Sequence, residues 1–210
     1  MISCFKKGQT QGVLPGPVGD LEVLLVRGDR VDGVAIICHP HPLHQGTMQN
    51  KVVTALARAC AEQHMATVRF NYRGVGQSGG TYGHFDGEVE DLLSIYRWVQ
   101  VVMPDQPLYL AGFSFGAYIA ASVASRIPSV HKLVCVAPAV NHVDYSALVG
   151  VTCPWLVVQG MQDEVVPADA VCRWAKASPA IELVCLPEAG HFFHGQLLPL
   201  QAAVREFLAK

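Results

Sequence analysis

The chain has 210 residues, its formal net charge is −2, and 51% of its residues are hydrophobic whereas only 15% are charged. A chain of this length can form one domain with a large core, and we expect a single domain over residues 1–210. A charge so close to zero argues against electrostatic attraction to nucleic acid or to an anionic membrane. The low charged fraction is typical of a sheet that is covered on both faces, whose strands are apolar throughout.

The first residues and the cysteines indicate a compartment. Residues 1–7 lack the apolar stretch of a signal peptide, and no apolar run approaches the roughly 18 residues that a membrane span needs. The seven cysteines are odd in number and scattered, without a Cys-x-x-Cys pair that would indicate zinc binding or redox work. Three of them, Cys38, Cys135 and Cys185, lie in apolar runs, where a free cysteine behaves as a small hydrophobe. We therefore expect a reducing compartment, the cytoplasm.

Seven short apolar runs, interpreted as strands, alternate with five helical patterns. The runs are Leu21–Val26, Val34–Cys38, Thr67–Phe70, Leu108–Ala111, Leu133–Val136, Trp155–Val158 and Ile181–Leu186. The helical patterns are Lys51–Gln63, Glu88–Val102, Gly116–Arg126, Ala168–Ala177 and Leu198–Leu208. This alternation predicts βαβ units, and hence an α/β fold with a mainly parallel twisted sheet and helices on both faces.

The alternation breaks at two places, and each break carries an expectation. The first run, Leu21–Val26, precedes any helix, so we expect it to form an antiparallel edge hairpin with a segment in the first 20 residues. The segment between Val136 and Trp155 is short and leaves no room for a helical lid. We therefore expect that end of the sheet to be open to solvent on one side.

A histidine-rich loop, His39-Pro40-His41-Pro42, follows the second run, and His44 lies close behind it. Imidazole binds zinc well, so His39, His41 and His44 are candidate metal ligands. They lack a fixed spacing on a helix, however, and the two prolines restrict how the rings can converge. The alternative is that His39 hydrogen-bonds to neighbouring backbone and holds the loop in shape.

The pattern Gly-x-Ser-x-Gly occurs twice, at residues 76–80 and 112–116. The first match lies in a loop-like stretch, and the glycines at its end begin a helix poorly. The second match lies between an apolar run and a helical pattern, so it predicts a sharp strand–turn–helix connection that exposes the hydroxyl of Ser114. We therefore interpret Ser114 as a nucleophile and Ser78 as a structural loop residue.

The turn around Ser114 also explains the two glycines of its match. Helix and strand approach closely there, so side chains two positions before and after the serine would clash. The hydroxyl then lies beside the start of a helix, where free N–H groups and the helix dipole can hold an anionic tetrahedral intermediate.

A serine hydroxyl needs a base to accept its proton, and the base needs a carboxylate that fixes its tautomer. In open parallel sheets such groups gather at the carboxyl ends of strands. After the sixth run the acid candidate is Asp163, with Glu164 beside it as a rival. After the last run the base candidate is His191, with His194 as a rival. The order serine, acid, histidine along the chain favours Asp163 and His191.

Three motifs together resemble the α/β-hydrolase superfamily, and the resemblance covers essentially the whole chain. These motifs are Gly112–Gly116, Gly160–Pro167 and Gly190–His194. Three further segments are similar to small bacterial lidless serine hydrolases related to dienelactone hydrolases: His39–Pro42, Asn50–Val53 and Phe70–Ser78. The resemblance implies that Ser114 is the nucleophile, His191 the general base and then acid, and Asp163 its orienting partner. It also implies that Asn71 and Arg73 brace a loop and do not touch substrate.

Two backbone N–H groups are expected to face the developing oxyanion. One belongs to Phe115, the residue after the serine. The other is expected from the histidine-rich loop, in which the two prolines have no N–H group. His41 and Leu43 remain as the main candidates there, and His44 follows them. Four side chains near strand ends are candidates for an acyl pocket, although such residues more often belong to the core: Phe85, Met161, Phe192 and Phe193.

Pattern and resemblance together predict a serine hydrolase that cleaves an ester or related acyl bond of a short or soluble substrate through an acyl-enzyme. Lactones, thioesters and peptides stay open, because a triad does not set the acyl group. We expect no cofactor, a small-molecule acyl substrate, and neither nucleic acid nor membrane as a partner, and the oligomeric state is open. Two alternatives remain. One is a binding or scaffold protein of the same fold with an unused triad, and the other is a metal-dependent hydrolase that uses His39, His41 and His44.

Overall fold

The computed structural model describes residues 2, 4–146, 148 and 150–210, and within them eight strands form one sheet. In chain order the strands are β1 (Gly8–Pro15), β2 (Asp20–Arg27), β3 (Gly33–Cys38), β4 (Met65–Phe70), β5 (Leu108–Phe113), β6 (Val130–Val136), β7 (Trp155–Gly160) and β8 (Ile181–Leu186). The helices are α1 (Lys51–Glu62), α2 (Asp86–Val102), α3 (Phe115–Ala124), α4 (Ala168–Lys176) and α5 (Leu197–Ala209). Every predicted strand and helix is present, with ends that shift by a few residues.

The sheet is mainly parallel, as the alternation of elements predicted. Its strand order is β1-β2-β4-β3-β5-β6-β7-β8. The neighbouring pairs β4-β3, β3-β5, β5-β6, β6-β7 and β7-β8 are all parallel. Strand β2 is antiparallel to both β1 and β4. The carboxyl ends of the parallel strands therefore lie at one edge of the sheet.

Helices cover both faces of the sheet. The core beneath α1 and α5 contains Ile37 and Leu56, and the core beneath α2, α3 and α4 contains Ile36 and Leu92. Ile36 and Ile37 are neighbours on β3, so they point into opposite cores because side chains alternate along a strand. All residues of β3 and β5 are buried, which explains why both strands read as continuous apolar runs.

The edge hairpin expected near the start of the chain is formed by β1 and β2. Gly8 pairs with Arg27 at the open end, and Pro15 pairs with Asp20 at the turn. A hydrogen bond of 3.0 Å from Gly16 N–H to Gly19 O closes the turn. Most of β1 is exposed or half-buried, so it has no apolar run by which the sequence alone could define it.

The connection between β6 and β7 contains no helix in its described residues, 137–146, 148 and 150–154. This agrees with the expectation that no lid domain is inserted there. Among the helices of the described ranges, none combines the length and apolar character that a membrane crossing requires.

Two glycines allow β5, α3 and the loop after β3 to approach one another. A Cβ atom on Gly112 would overlap the carbonyl group of Gly116. A Cβ atom on Gly116 would lie 2.5 Å from the carbonyl oxygen of His39. The obstacles are backbone atoms, which cannot rotate away as a side chain can, so only glycine fits at these two positions.

Gly116→Ala is expected to lower the free energy of unfolding by about 3 kcal/mol, because the loop after β3 must shift to admit a methyl group. Urea denaturation followed by circular dichroism measures the change. Gly28→Ala is the matched control, since a Cβ atom there would make an ordinary contact of 3.5 Å with the oxygen of Arg30. Equal unfolding midpoints for the two variants would contradict close packing at Gly116.

Candidate active site

The sequence-predicted site residues meet at the carboxyl edge of the sheet. Ser114 follows β5, Asp163 follows β7, His191 follows β8, and the histidine-rich loop follows β3. Ser114, His191, His41 and Phe115 line one cavity of about 580 Å³. Since these strands are parallel, the short loops at their ends bring together residues that are far apart in the sequence.

Ser114 occupies a strained backbone position. Its φ of 55° and ψ of −114° are unusual for a residue with a side chain. The turn is fixed by a hydrogen bond of 2.8 Å from the Ser114 N–H to the oxygen of Val136 on β6. The residue lies directly before the first turn of α3, and its hydroxyl lines the cavity without a hydrogen-bond partner among the described residues. This geometry matches the strand–turn–helix connection that the second glycine match predicted, with a half-buried serine at the cavity wall.

Asp163 and His191 are joined by a hydrogen bond of 2.9 Å between Oδ2 and Nδ1. The Asp163 side chain is fully buried, and its Oδ1 accepts the N–H groups of Val165 at 2.9 Å and Val166 at 2.7 Å. Burial alone would raise the pKa of Asp163, but the hydrogen bonds from His191 and Val166 outweigh it and hold the pKa below its usual value. The carboxylate is therefore ionised at neutral pH and keeps the Nδ1 side of the imidazole occupied.

The other ring nitrogen of His191, Nε2, is the one left for a reacting group. No hydrogen bond joins it to Ser114 Oγ in the described structure, although both residues line the same cavity. Such contacts are often long before a substrate is bound. The His191 ring also packs against Phe113 and Phe192, each at a centroid distance of 5.1 Å.

Gln159, which the sequence patterns did not single out, supports the acid. Gln159 is fully buried at the end of β7, and its Nε2 donates to Asp163 Oδ2 at 3.1 Å and to the oxygen of Gly160 at 3.0 Å. Asp163 Oδ2 thus accepts from both His191 and Gln159. The available signal was a polar residue that continues the apolar run of β7.

Neither rival residue takes part in the hydrogen bond that joins the imidazole of His191 to the carboxylate of Asp163. Glu164 Oε2 accepts the backbone N–H of His191 at 3.3 Å, so it contacts the backbone of His191 but not its ring. His194 is exposed, and its ring stacks on Phe192 at a centroid distance of 5.9 Å. It lines a second, smaller cavity of about 290 Å³. Position therefore favours Asp163 and His191 over both rivals.

His39 holds its loop, as one of the two interpretations expected. Its Nδ1 lies 2.7 Å from the oxygen of Pro40, and its Nε2 accepts the N–H of Tyr72 at 3.1 Å. Burial lowers the pKa of His39 to about 3, so the ring is neutral. Both nitrogens are occupied, which removes His39 from the candidate metal ligands. Across the described ranges, no three histidine, cysteine or acidic side chains are arranged to hold a metal ion.

The buried, neutral His39 predicts a pH-dependent stability. The unfolded chain binds a proton at this histidine below pH 6.5, whereas the folded chain does so only below about pH 3. Stability therefore falls as the pH decreases between these values. We expect the free energy of unfolding of the wild type to fall by about 3 kcal/mol more between pH 7 and pH 4 than that of His39→Gln.

Urea denaturation at a series of pH values measures this slope. Carboxylates contribute equally to the pH dependence of stability in the wild type and in His39→Gln. The difference between the two slopes is therefore the contribution of His39. His131→Gln, at an exposed position of β6, is the control and should retain the slope of the wild type. Identical slopes for the wild type and His39→Gln would contradict a buried neutral ring.

The candidate N–H donors for an oxyanion differ in their availability. The Leu43 N–H already donates to His41 Nδ1 at 3.2 Å, and Leu43 is exposed and does not line the cavity. Leu43 is therefore no longer a candidate oxyanion donor, since its N–H group is already hydrogen-bonded to the His41 ring. Burial, with the neighbouring His44 adding to it, lowers the pKa of His41, and the neutral ring can accept this bond. The N–H groups of His41 and Phe115 have no acceptor in the part of the chain that the structure describes.

The wall of the larger cavity is mostly apolar, with a polar rim near the histidine-rich loop. The apolar residues are Pro40, Phe85, Phe115, Ala139, Val143, Val165 and Phe192. The polar residues, apart from Ser114 and His191, are His41, His44, Gln45, Asn50 and His142. Of the four side chains weighed for an acyl pocket, Phe85 and Phe192 line the cavity, whereas Phe193 is fully buried in the core.

The first glycine match is structural, as its context indicated. Ser78 is buried, and its hydroxyl donates to the oxygen of Asn71 at 2.7 Å and accepts the N–H of Glu22 at 2.9 Å. Arg73 forms a buried ion pair of 2.7 Å with Asp91 on α2. None of these residues lines the cavity. Asn71 and Arg73 therefore brace this loop, in agreement with the role that the resemblance implied.

Known proteins match the chain in sequence and in structure. Residues 29–150 match the family model described as serine aminopeptidase, S33. A solved α/β serine hydrolase homologue from Coxiella burnetii is 46% identical, with a TM-score of 0.92 over 96% of this chain and 98% of that one. A solved α/β serine hydrolase without lid from Xanthomonas campestris is 38% identical, with a TM-score of 0.91 over 98% of this chain and 96% of that one. A Rickettsia prowazekii protein described as uncharacterized is 31% identical over 92% of this chain and 86% of its own length.

Proposed function

This chain belongs to the serine aminopeptidase, S33 family and to the small lidless α/β serine hydrolases, and from this premise we propose that it hydrolyses an ester or related acyl bond through Ser114, His191 and Asp163. The observation that carries the proposal is the 2.9 Å hydrogen bond from His191 Nδ1 to Asp163 Oδ2, at a cavity that Ser114 also lines. A carboxylate on one ring nitrogen leaves the other as a base directed towards the site.

The first half of the proposed reaction acylates the serine. Ionised Asp163 holds the proton of His191 on Nδ1, so Nε2 is unprotonated and accepts the proton of Ser114 Oγ. The oxygen attacks the carbonyl carbon of the substrate, and a tetrahedral intermediate forms. His191 then returns the proton to the leaving alcohol, and the acyl group remains on Ser114.

The negative oxygen of the intermediate is proposed to bind the N–H groups of Phe115 and His41. Both residues line the cavity, and both N–H groups are free of acceptors among the described residues. Phe115 is the first residue of α3, so the positive end of the helix dipole adds to the stabilisation. Prepositioned donors of this kind contribute about 10²–10³-fold each to the rate.

The second half of the reaction releases the acyl group. His191 Nε2 accepts a proton from water, the hydroxide attacks the acyl-enzyme, and the proton returns to Ser114 as the acid leaves. Each step is carried by groups of the chain itself. The substrate is proposed to be a small molecule with a short or soluble acyl group, since the cavity has a volume of about 580 Å³ and the described residues between β6 and β7 contain no helix that could cover it.

Labelling with a tagged fluorophosphonate tests the proposal, with mass spectrometry to locate the modified residue. We expect a single modification, on Ser114, and none in Ser114→Ala. A label on Ser78 or on a histidine would overturn the proposal.

A panel of p-nitrophenyl esters should show kcat/KM falling as the acyl chain lengthens. No turnover of any ester, together with no labelling, would favour the scaffold alternative, and inhibition by a chelator would favour the metal-dependent one.

A further inference from the structure

Two cysteines outside the active site lie in contact. Cys172 of α4 and Cys185 of β8 have their sulfur atoms 3.7 Å apart. Cys185 is exposed and Cys172 is half-buried. The expectation that Cys185 behaves as a buried hydrophobe is therefore wrong, because β8 is an edge strand that α4 covers only in part. A disulfide needs sulfurs about 2.05 Å apart, so its formation would bring these two atoms closer than their present contact.

The other described cysteines lack this combination of contact and access. Cys38, Cys60, Cys135 and Cys153 are buried, and Cys4 is exposed. Burial raises the pKa of Cys38 and of Cys60 to about 12, so neither thiol ionises at neutral pH. An oxidant in solution therefore reaches Cys185 and its neighbour while the buried thiols stay protected.

The pair lies between the two segments that carry the proposed acid and base. α4 begins at Ala168, just after the turn in which Asp163 accepts its backbone hydrogen bonds. β8 ends at Leu186, just before the loop that carries His191. A covalent bond between α4 and β8 would join the helix that follows the acid to the strand that precedes the base.

We propose that Cys172 and Cys185 are a modification site, at which a small-molecule disulfide such as glutathione disulfide converts the two thiols into an intramolecular disulfide. The thiolate of exposed Cys185 attacks one sulfur of the reagent, and the first glutathione leaves as a thiolate. The thiolate of Cys172 then attacks the sulfur of Cys185, the protein disulfide forms, and the second glutathione leaves. Two protein thiols are oxidised, and one small disulfide is reduced to two thiols.

The disulfide is expected to stabilise the fold more than it changes the active site. The bond joins two residues that are 13 positions apart in the sequence. Closing a loop of this size reduces the conformational entropy of the unfolded chain. We expect the Tm of the oxidised protein to rise by about 6–12 °C. The sulfurs are already in contact, so we expect α4 and β8 to keep their positions and the hydrogen bond between Asp163 and His191 to be preserved.

Intact-mass analysis and thermal unfolding test this proposal without any measurement of catalysis, so its outcome is separate from that of the proposed hydrolase. Because burial and the neighbouring Cys172 thiol raise the pKa of Cys185, the reagent is used in excess for hours. In the Cys4→Ser variant, which lacks the other exposed thiol, the mass should fall by about 2 Da, for two hydrogen atoms. Trypsin places Cys185 alone in the peptide 177–205 and Cys172 in the peptide 133–173, together with Cys135 and Cys153. A non-reducing digest should contain one cross-linked species of these two peptides, and its fragmentation spectrum should place the bond between Cys172 and Cys185.

Cys172→Ser and Cys185→Ser should each lose both the mass change and the rise in Tm, whereas Cys4→Ser should keep both. A reductant should restore the original Tm of the wild type. Three results would overturn the proposal: a glutathione adduct that stays on Cys172 or Cys185, a disulfide that uses another cysteine or a second chain, or an oxidised protein whose Tm does not rise.

Discussion

Ser114→Ala is expected to lower kcat for an ester substrate by about 10⁶-fold, the size of effect that follows loss of a nucleophile from a working triad. The methyl group cannot attack a carbonyl carbon, and residual turnover depends on the oxyanion donors and on binding alone. The variant should keep the fold, because the Ser114 hydroxyl makes no hydrogen bond within the described residues. Initial rates with p-nitrophenyl acetate and a thermal unfolding curve measure the two effects.

Ser78→Ala is the matched control, since it removes the same hydroxyl from the other Gly-x-Ser-x-Gly match. It breaks two buried hydrogen bonds, with Asn71 and Glu22, and should lower the free energy of unfolding by about 1–3 kcal/mol. Its kcat per folded molecule should stay near that of the wild type. If Ser78→Ala abolished turnover and Ser114→Ala did not, the assignment of the nucleophile would be wrong.

Asp163→Asn is expected to lower kcat by about 10⁴-fold with little change in KM. The amide that replaces the carboxylate can donate a hydrogen bond to His191 Nδ1, which favours the tautomer with its proton on Nε2. That tautomer cannot accept the proton of Ser114. Steady-state kinetics on the same ester measure the loss, and an unchanged circular dichroism spectrum verifies the fold.

Glu164→Gln is the control for Asp163→Asn, because the neighbouring carboxylate is also changed to its amide. The amide oxygen can still accept the N–H of His191, the contact that Glu164 makes now. We expect less than about a tenfold loss in kcat, since the tautomer of the ring does not depend on this residue. A loss as large as that of Asp163→Asn would show that the acid has been assigned to the wrong residue.

The positions of Ser114, Asp163 and His191 could be predicted because they depend on local rules. Each residue follows a parallel strand within a few positions, and the carboxyl ends of such strands share one edge of the sheet. The choice between the two glycine matches rested on what precedes and follows each serine. In the structure the second match is fixed between β5 and α3, where the glycines contact backbone atoms of neighbouring segments.

The supporting contacts could not be predicted, because they depend on where single side chains point. Gln159 is one residue of an apolar strand, and only its orientation shows that it donates to Asp163. The sequence does not distinguish Leu43 from His41 as the N–H donor to the oxyanion. Only the side-chain position shows that the His41 ring accepts the Leu43 N–H. The strand β1 lacks an apolar run, and its pairing with β2 decides its conformation.

The uncovered face of the cavity has a consequence for the alcohol half of the substrate. Ser114 lines a cavity, and the described residues between β6 and β7 contain no helix that could cover it. We therefore expect that no lid helix from this connection has to move before the product leaves. We therefore expect turnover to be insensitive to solvent viscosity at saturating substrate, unlike enzymes whose release step waits on a moving gate. We also expect small-molecule esters with larger alcohol groups to be hydrolysed, because the alcohol can extend into water while the acyl end lies beside Ser114.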